Sequence, residues 1–168
     1  MVPHPPPAAL SRAFRTALVA LLAALYARGF VVELRAIASG SMDPTLVVGD
    51  QLLVDRMVYA GRDLPPVLAR LLPVREPRRG DLVVLRSPED RRAVLVKRCT
   101  ALAGDRVSGA TVPPAALWVE GDRRSSSHDS RAFGPVERRD LVGRALLVVL
   151  SRPPGGGWRV GRTLAPVR

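Results

Sequence analysis

The chain has 168 residues, of which 47% are apolar, 24% are charged and 4% are aromatic. This composition excludes a disordered chain, and the length suits one globular domain with a short extra segment. The net charge of +11 calls for an anionic partner, but the basic residues are scattered, aromatic side chains for base stacking are few, and no nucleic-acid-binding signature is present, so an anionic membrane surface is favoured over nucleic acid.

The chain begins with a proline-rich tail followed by an apolar run. The tail covers residues 1–15, and residues 16–32 are almost entirely apolar, with Arg28 as the one charged side chain. This run is at the short limit for a membrane-spanning helix, and the Arg28 side chain is long enough to extend to the headgroups. We predict a cytoplasmic tail over 1–15, a transmembrane anchor helix over 16–35 and an extracytoplasmic domain over 36–168.

A cleavable signal peptide is the alternative for the same segment. Such a peptide needs a basic start, a short apolar stretch and small residues at the cleavage site. Arg12, Arg15 and the tripeptide Ala36-Ile37-Ala38 fit these requirements. The retained anchor is favoured because Glu33 and Arg35 crowd the region just before that site.

Beyond residue 38 the chain changes to short β-like runs that are separated by Gly, Pro and Asp. The pattern predicts a mainly β fold. A short helix within 61–79 and a final hairpin that joins 145–151 to 158–163 are also expected. The predicted strands are 51–58, 81–86, 93–99, 105–108, 116–120 and 143–150.

Lysine occurs once in this chain, at Lys97, whereas every other basic position is arginine. A guanidinium stays protonated in proteins, but a buried ammonium can lose its proton near neutral pH. Strand alternation places Lys97 on one face with Ala93, Leu95 and Cys99, so burial should lower its pKa, as a general base requires. The alternative is that one lysine survived a general preference for arginine by chance.

The segment Ser39–Leu46 reads SGSMDPTL and directly follows the apolar run. A serine hydroxyl becomes a good nucleophile when an adjacent base removes its proton, and a Ser–Lys pair is one known arrangement. We therefore pair Ser41 with Lys97. The alternative interpretation is a Ser/Gly/Pro turn together with a strand lysine that extends to solvent.

Metal and histidine chemistry find little support in the sequence. Cys99 is the one cysteine, and His4 and His128 are the two histidines, so the chain offers neither an internal disulfide nor a His/Cys metal cluster. We expect no metal and no cofactor. The pair His128-Asp129 lies beside several serines, but the G-x-S-x-G elbow of a Ser-His-Asp hydrolase is absent, and His128 is interpreted as a solvated loop residue.

Five motifs occur in order over about residues 14–151 and together are far more specific than any one of them. They are SGSMDPTL with Gly49-Asp50, PRRGDLVV at 77–84, VKR at 96–98 with Gly104-Asp105, GDRRSSSHDSR at 121–131 and LVGRA at 141–145. In this order they resemble the motifs of bacterial type I signal peptidases (leader peptidases), a family of membrane-anchored Ser/Lys endopeptidases of the secretory pathway.

The resemblance implies an antiparallel β catalytic domain of the signal-peptidase type after one N-terminal transmembrane helix. It implies removal of N-terminal signal peptides from exported preproteins, after small residues of the Ala-x-Ala type. Ser41 would be the nucleophile and Lys97 the general base. The Ser41 amide and the Ser39 hydroxyl would form the oxyanion hole, which holds the negative charge of the tetrahedral intermediate.

Further roles are implied for the motif at 121–131, the closing box. Ser127 would orient the Lys97 amine, and Asp129 and Arg131 would form a supporting ion pair. Shallow apolar pockets would accept the small side chains of the substrate, with ordinary core packing as the alternative for the residues concerned. These pocket residues are Ile37, Ala38, Met42, Leu46, Leu95 and Val96.

The closing box is also where this chain departs from the family pattern. Arg123 stands where the family usually has Asn, and Ser125 and Ser126 stand where acidic or amide residues often follow. The implied partners are signal peptides of exported preproteins and anionic membrane lipid, with no nucleic acid and no metal.

Three alternatives to this function stay open. The first is a Ser/Lys peptidase dedicated to one pilus or conjugation substrate. The second is a self-cleaving repressor, which would be expected to carry a DNA-binding domain in place of residues 16–32. The third is a degenerate family member that binds preproteins without cutting them, although Ser41 and Lys97 are intact.

Overall fold

The computed structural model describes residues 7–26, 31–60, 67, 70 and 74–167. Within them the chain forms an N-terminal helix and an antiparallel β-sheet, which confirms the predicted mainly β fold class. The short helix predicted within 61–79 falls largely outside the described residues.

The N-terminal helix, α1, spans Pro7–Tyr26 and therefore begins well before the predicted start at residue 16. Pro7 suits a first helical turn, because its fixed φ is helical and the N–H that it lacks would have no partner there. Residues 7–15, which we assigned to the tail, are thus helical. No helix among the described residues is both long enough and apolar enough to cross a membrane.

Strand β1, Val32–Ala36, replaces the end of the predicted anchor helix. It pairs antiparallel with β2, Asp50–Asp55, along its whole length. Glu33 and Arg35 lie on the same face of β1, because side chains two residues apart in a strand point the same way, and they form an ion pair of 2.5 Å. Extending the helix to residue 35 was therefore wrong, since this segment alternates with the period of a strand.

Further strands follow β2 in the described part of the chain. They are β3 Leu82–Arg86, β4 Val94–Leu102, β5 Arg106–Val107, β6 Ala110–Thr111, β7 Ala116–Glu120, β8 Val136–Glu137, β9 Leu141–Ser151 and β10 Ala165–Pro166. The main sheet has the order β1-β2-β9-β3-β4-β7-β8, β10 pairs with β9, and β5 and β6 form a separate hairpin. The six predicted strands correspond to β2, β3, β4, β5, β7 and β9 to within a few residues.

The predicted C-terminal hairpin between 145–151 and 158–163 is wrong. Val160–Arg162 forms a turn of 3-10 helix, and β9 pairs instead with the later strand β10. The side chains of Arg159 and Arg162 donate hydrogen bonds to the backbone carbonyls of Val48 and Thr45. These contacts draw the segment towards the loop that precedes β2 and away from the strand ladder.

Strand β3 lies in the middle of the sheet and is buried on both faces. Leu82 and Val84 pack into one apolar cluster, while Val83 and Leu85 pack into a second cluster that includes Cys99. A continuous apolar run of this kind is typical of a strand that is covered on both sides. Both clusters also include residues of β4, so they fix the position of β4 beside β3.

Candidate active site

Ser41 lies in the loop of residues 37–49 that joins β1 to β2, called here the Ser41 loop. Within it the Asp43 amide donates to the Gly40 carbonyl over 3.1 Å, and the Leu46 amide donates to the Met42 carbonyl over 2.9 Å. Leu46 is completely buried, and Ser41 is only 8% exposed. An apolar anchor in the core thus holds a loop that carries a nearly buried serine.

Lys97 projects from β4, where its register partner on β3 is Val83. Its side chain is buried, and its Nζ lies 2.9 Å from the Oγ of Ser41. Strand β7 pairs with β4 only over Arg98–Leu102, so the edge of β4 before Arg98 is left to face a cavity. The structure therefore brings together the two residues that the sequence paired.

Ser127 contacts the same amine from the other side. It follows a 3-10 turn at Arg124–Ser126, and its Oγ lies 3.0 Å from Lys97 Nζ. Its hydroxyl donates to the Oδ2 of Asp129 over 2.5 Å. Because that bond uses the one hydroxyl proton, the Ser127 oxygen is left to accept a hydrogen bond from the Lys97 amine.

Asp129 is fully buried at the N-terminus of the short helix α2, Ser130–Phe133. Arg131 binds both of its oxygens, with its Nε 2.8 Å from Oδ1 and its Nη2 2.6 Å from Oδ2, and the Gly121 amide donates to Oδ2 over 2.8 Å. Burial alone would raise the pKa of this carboxyl group. The hydrogen bonds from Arg131, Gly121 and Ser127 outweigh it and hold the Asp129 pKa well below its usual range.

Burial lowers the pKa of Lys97 below that of a free lysine, because the ammonium loses its hydration. The negative charge of Asp129 opposes this effect, and the positive charge of Arg131 adds to it. The two charges form an ion pair with each other, so burial remains the deciding influence. The amine is therefore more readily available in its neutral form, in which it can accept a proton from Ser41.

A cavity of about 410 Å³ opens beside this pair. Residues 36–39 line one wall, the open edge of β4 at 94–97 lines another, and Ser41 lies between them. The Oγ of Ser39 lies 3.4 Å from that of Ser41. Of the predicted pocket residues, those on the cavity wall are Ile37, Ala38, Met42, Leu95 and Val96.

Leu46 has a different position from the other predicted pocket residues. Its side chain is fully buried in the apolar cluster that includes Leu52 and Val84, and it is not among the residues that line the cavity. The sequence could not separate the two environments, because an apolar side chain in this motif suits either one.

Gly121 is a residue of the site that the sequence interpretation overlooked. A Cβ at this position would lie 2.1 Å from Ser127 Oγ and 2.6 Å from the carbonyl oxygen of Ser41. Ser127 and the Ser41 backbone thus both approach residue 121 so closely that it must lack a side chain. The available signal was its place at the end of β7, as the first residue of the closing box.

Arg123 and His128 also contact the site. The Arg123 amide donates to the Ser41 carbonyl over 3.0 Å, and its guanidinium forms a 2.6 Å ion pair with Asp43. His128, predicted to be solvated, is exposed and pairs with Glu89 at 2.7 Å, yet it also lines the cavity.

In the residues that the structure describes, no three His, Cys, Asp or Glu side chains are grouped to hold a metal ion.

A serine hydroxyl can lose its proton to an amine 2.9 Å away if that amine is neutral, and burial of Lys97 favours the neutral form. Serine hydrolases that use lysine as the base rely on such a pair, and here it lies at a cavity on a mainly β scaffold.

Comparison with known proteins identifies the family. The model of the family described as "Signal peptidase, peptidase S26" matches residues 10–110 and 108–150. A probable signal peptidase I-2 of Synechocystis sp. is 32% identical, with coverage of 79% of this chain and 70% of that protein. Signal peptidase I of Leptolyngbya laminosa is 30% identical, with coverage of 82% and 78%.

A third relative matches a shorter stretch. Signal peptidase I of Pseudomonas aeruginosa is 42% identical over 87 residues, which are 52% of this chain and 30% of that protein. The chain belongs to the signal peptidase family, peptidase S26, and thus to the serine endopeptidases. The family predicted from the five motifs is confirmed.

Proposed function

We propose that this chain removes N-terminal signal peptides from exported preproteins, with Ser41 as the nucleophile and Lys97 as the general base. The observation that carries the proposal is the 2.9 Å distance between Ser41 Oγ and a buried lysine amine. Arginine could not take the place of Lys97, because its guanidinium does not give up its proton in proteins.

In the first half of the reaction, Ser41 Oγ attacks the carbonyl carbon of the scissile peptide bond, and its proton passes to Lys97 Nζ. The Ser41 amide and the Ser39 hydroxyl hold the negative oxygen of the tetrahedral intermediate. The Lys97 ammonium then gives the proton to the departing amine, which is the new N-terminus of the mature protein. The signal peptide stays bound to Ser41 as an ester.

In the second half, water attacks this ester while Lys97 takes a proton from the water. The amine returns the proton to Ser41 Oγ as the signal peptide leaves. Ser127 accepts one N–H of the amine, which restricts the directions in which the neutral nitrogen can present its lone pair. Asp129 and Arg131 hold Ser127 in that position.

The cavity supports a preference for small side chains beside the scissile bond. An extended peptide between residues 36–39 and the open edge of β4 presents alternate side chains to apolar walls. Met42, Leu95 and Val96 line that space, and we propose that their side chains restrict it to alanine-sized groups. This agrees with cleavage after Ala-x-Ala sequences.

The same proposal includes a single membrane anchor and an extracytoplasmic domain. Arg12 and Arg15 precede the apolar half of α1, where Leu18, Val19 and Leu22 are exposed. The net charge of +11 favours contact between the domain and anionic lipid. Alkaline extraction of membranes and protease digestion of oriented vesicles test this arrangement: release from the membrane, or digestion from the cytoplasmic side, would contradict it.

The deciding experiment gives the detergent-purified chain a preprotein with an Ala-x-Ala site. We expect cleavage after the second alanine, read by mass spectrometry of the product. Ser41→Ala and Lys97→Arg should each reduce the rate by about 10³-fold or more, whereas the exposed-turn variant Ser125→Ala should not. Substantial activity of Lys97→Arg would show that the base is misassigned.

The same assay separates the other functions. Cleavage confined to one pilin or conjugation protein in a panel of preproteins would indicate a dedicated processing enzyme. Binding of the preprotein without cleavage would indicate a degenerate member of the family.

A further inference from the structure

The C-terminal segment of residues 152–167 runs back along the Ser41 loop. It lies beyond the part of the chain that the family model matches, which ends at residue 150. The Arg152 amide donates to the Gly49 carbonyl over 2.9 Å. A Cβ on Gly49 would lie 1.9 Å from the Arg152 carbonyl oxygen, so the two backbones are in direct contact where the loop enters β2.

Arg162 links this segment to Thr45 and Asp50, which both follow Ser41 in the chain. Its Nη2 donates to the Thr45 carbonyl over 2.8 Å and to Asp50 Oδ2 over 2.6 Å, and its Nε lies 3.2 Å from Asp50 Oδ1. Asp50 is fully buried, and Ser151 also donates to it, over 2.6 Å. One planar guanidinium thus holds both the loop backbone and the first residue of β2.

Arg159 supports the same loop one turn earlier in the segment. Its Nη1 donates to the Val48 carbonyl over 3.0 Å and to Ser151 Oγ over 3.2 Å. The Thr45 and Val48 carbonyls belong to a loop without strand pairing of its own, so these arginines bond groups that no strand ladder could satisfy.

We propose that Arg162 is a positioning residue for the proposed peptidase reaction, and that residues 152–167 act as a strap that fixes the Ser41 loop. The inference rests on the proposed function only for its catalytic consequence. Ser41 and Lys97 come from a loop and from β4, and their 2.9 Å contact requires that the loop keep its place against the sheet. A displacement of about 1 Å at such a contact costs up to about 10²-fold in rate.

Arg162→Lys is the informative substitution. It keeps a positive charge beside the buried Asp50, so the protein is expected to fold, but an ammonium lacks the planar fork that reaches Asp50 and Thr45 together. Arg106→Lys is the matched control, since Arg106 is exposed on β5 and belongs neither to residues 152–167 nor to the Ser41 loop.

Cleavage of the Ala-x-Ala preprotein should show a kcat of Arg162→Lys that is lower by about tenfold, with KM within twofold of wild type. The folded fraction, measured by circular dichroism at the assay temperature, should be unchanged, and Arg106→Lys should match wild type. A wild-type kcat for Arg162→Lys, or a loss that follows the folded fraction, would overturn the positioning role.

Hydrogen–deuterium exchange tests the strap independently of catalytic activity. The Leu46, Val47 and Asp50 amides are bonded within the loop, and in Arg162→Lys they should exchange at least about tenfold faster than in wild type. Unchanged exchange would refute the strap even if the wild type cleaves. Faster exchange in a chain without activity would support the strap and refute the proposed function.

Discussion

Ser127 gives its one hydroxyl proton to Asp129 over 2.5 Å, and this bond decides how Ser127 meets Lys97. Its oxygen can then only accept from the amine 3.0 Å away. An amine that donates one N–H in a fixed direction can direct its lone pair to only two other positions, and the Ser41 hydroxyl lies 2.9 Å from the same nitrogen. The orientation of the proposed base therefore depends on a carboxylate that does not touch it.

Ser127→Ala removes that orientation while leaving Ser41 and Lys97 in place. We expect kcat to fall by about 10²-fold with little change in KM, because the substrate walls are untouched. Steady-state kinetics with the Ala-x-Ala preprotein measures this, with Ser125→Ala as the matched control. Full activity of Ser127→Ala would mean that the amine needs no orienting partner.

The pH dependence of cleavage reports on the Lys97 pKa. Activity should rise with pH as the amine loses its proton, at a pH below that of an ordinary lysine because burial lowers the pKa. Asp129→Asn removes the negative charge that favours the ammonium, so the pKa of Lys97 should fall further and the acid limb should move to lower pH. Plots of kcat/KM against pH for both proteins test this, and a shift to higher pH would contradict it.

Gly121→Ala tests the close approach of Ser127 and Ser41. The added Cβ would meet Ser127 Oγ at 2.1 Å and the Ser41 carbonyl at 2.6 Å, so one of them must move. We expect activity to fall by about 10²-fold and the free energy of unfolding to fall by about 1–3 kcal/mol. Gly155→Ala, where nothing lies within 4 Å, is the control for cleavage rate and thermal unfolding.

The departure from the family pattern at Arg123 has a partner in Asp43. Their ion pair is partly exposed, with the Arg123 side chain at 52% and that of Asp43 at 28%, so its loss should cost only about 0.2–1 kcal/mol of stability. Asp43 lies two residues after Ser41, however, and we expect Arg123→Ala and Asp43→Ala each to lower kcat about threefold. In a double-mutant cycle the double variant should lose no more than either single variant. Additive losses would show that the two side chains act independently.

Local patterns in the sequence predicted most strands of the sheet and singled out Ser41 and Lys97 as the two central residues of the site. Apolar alternation located β2, β4, β7 and β9 to within a few residues, because a half-buried strand needs that period. The same reasoning failed at Val32–Ala36, where an apolar run directly before the strand made the segment look like the end of a helix. Pairing with β2, from residues 50–55, decided otherwise.

By itself, the sequence determined which residues could perform the chemistry: one lysine among arginines, a serine in a turn-forming motif, and a closing box that ends in Asp129 and Arg131. These are properties of residue type and short spacing. Only the tertiary structure decided the 2.9 Å contact across 56 residues, the closeness of Gly121 to two serines, and the return of Arg162 to the Ser41 loop. Each of these depends on strand register and core packing between distant segments, which no local pattern encodes.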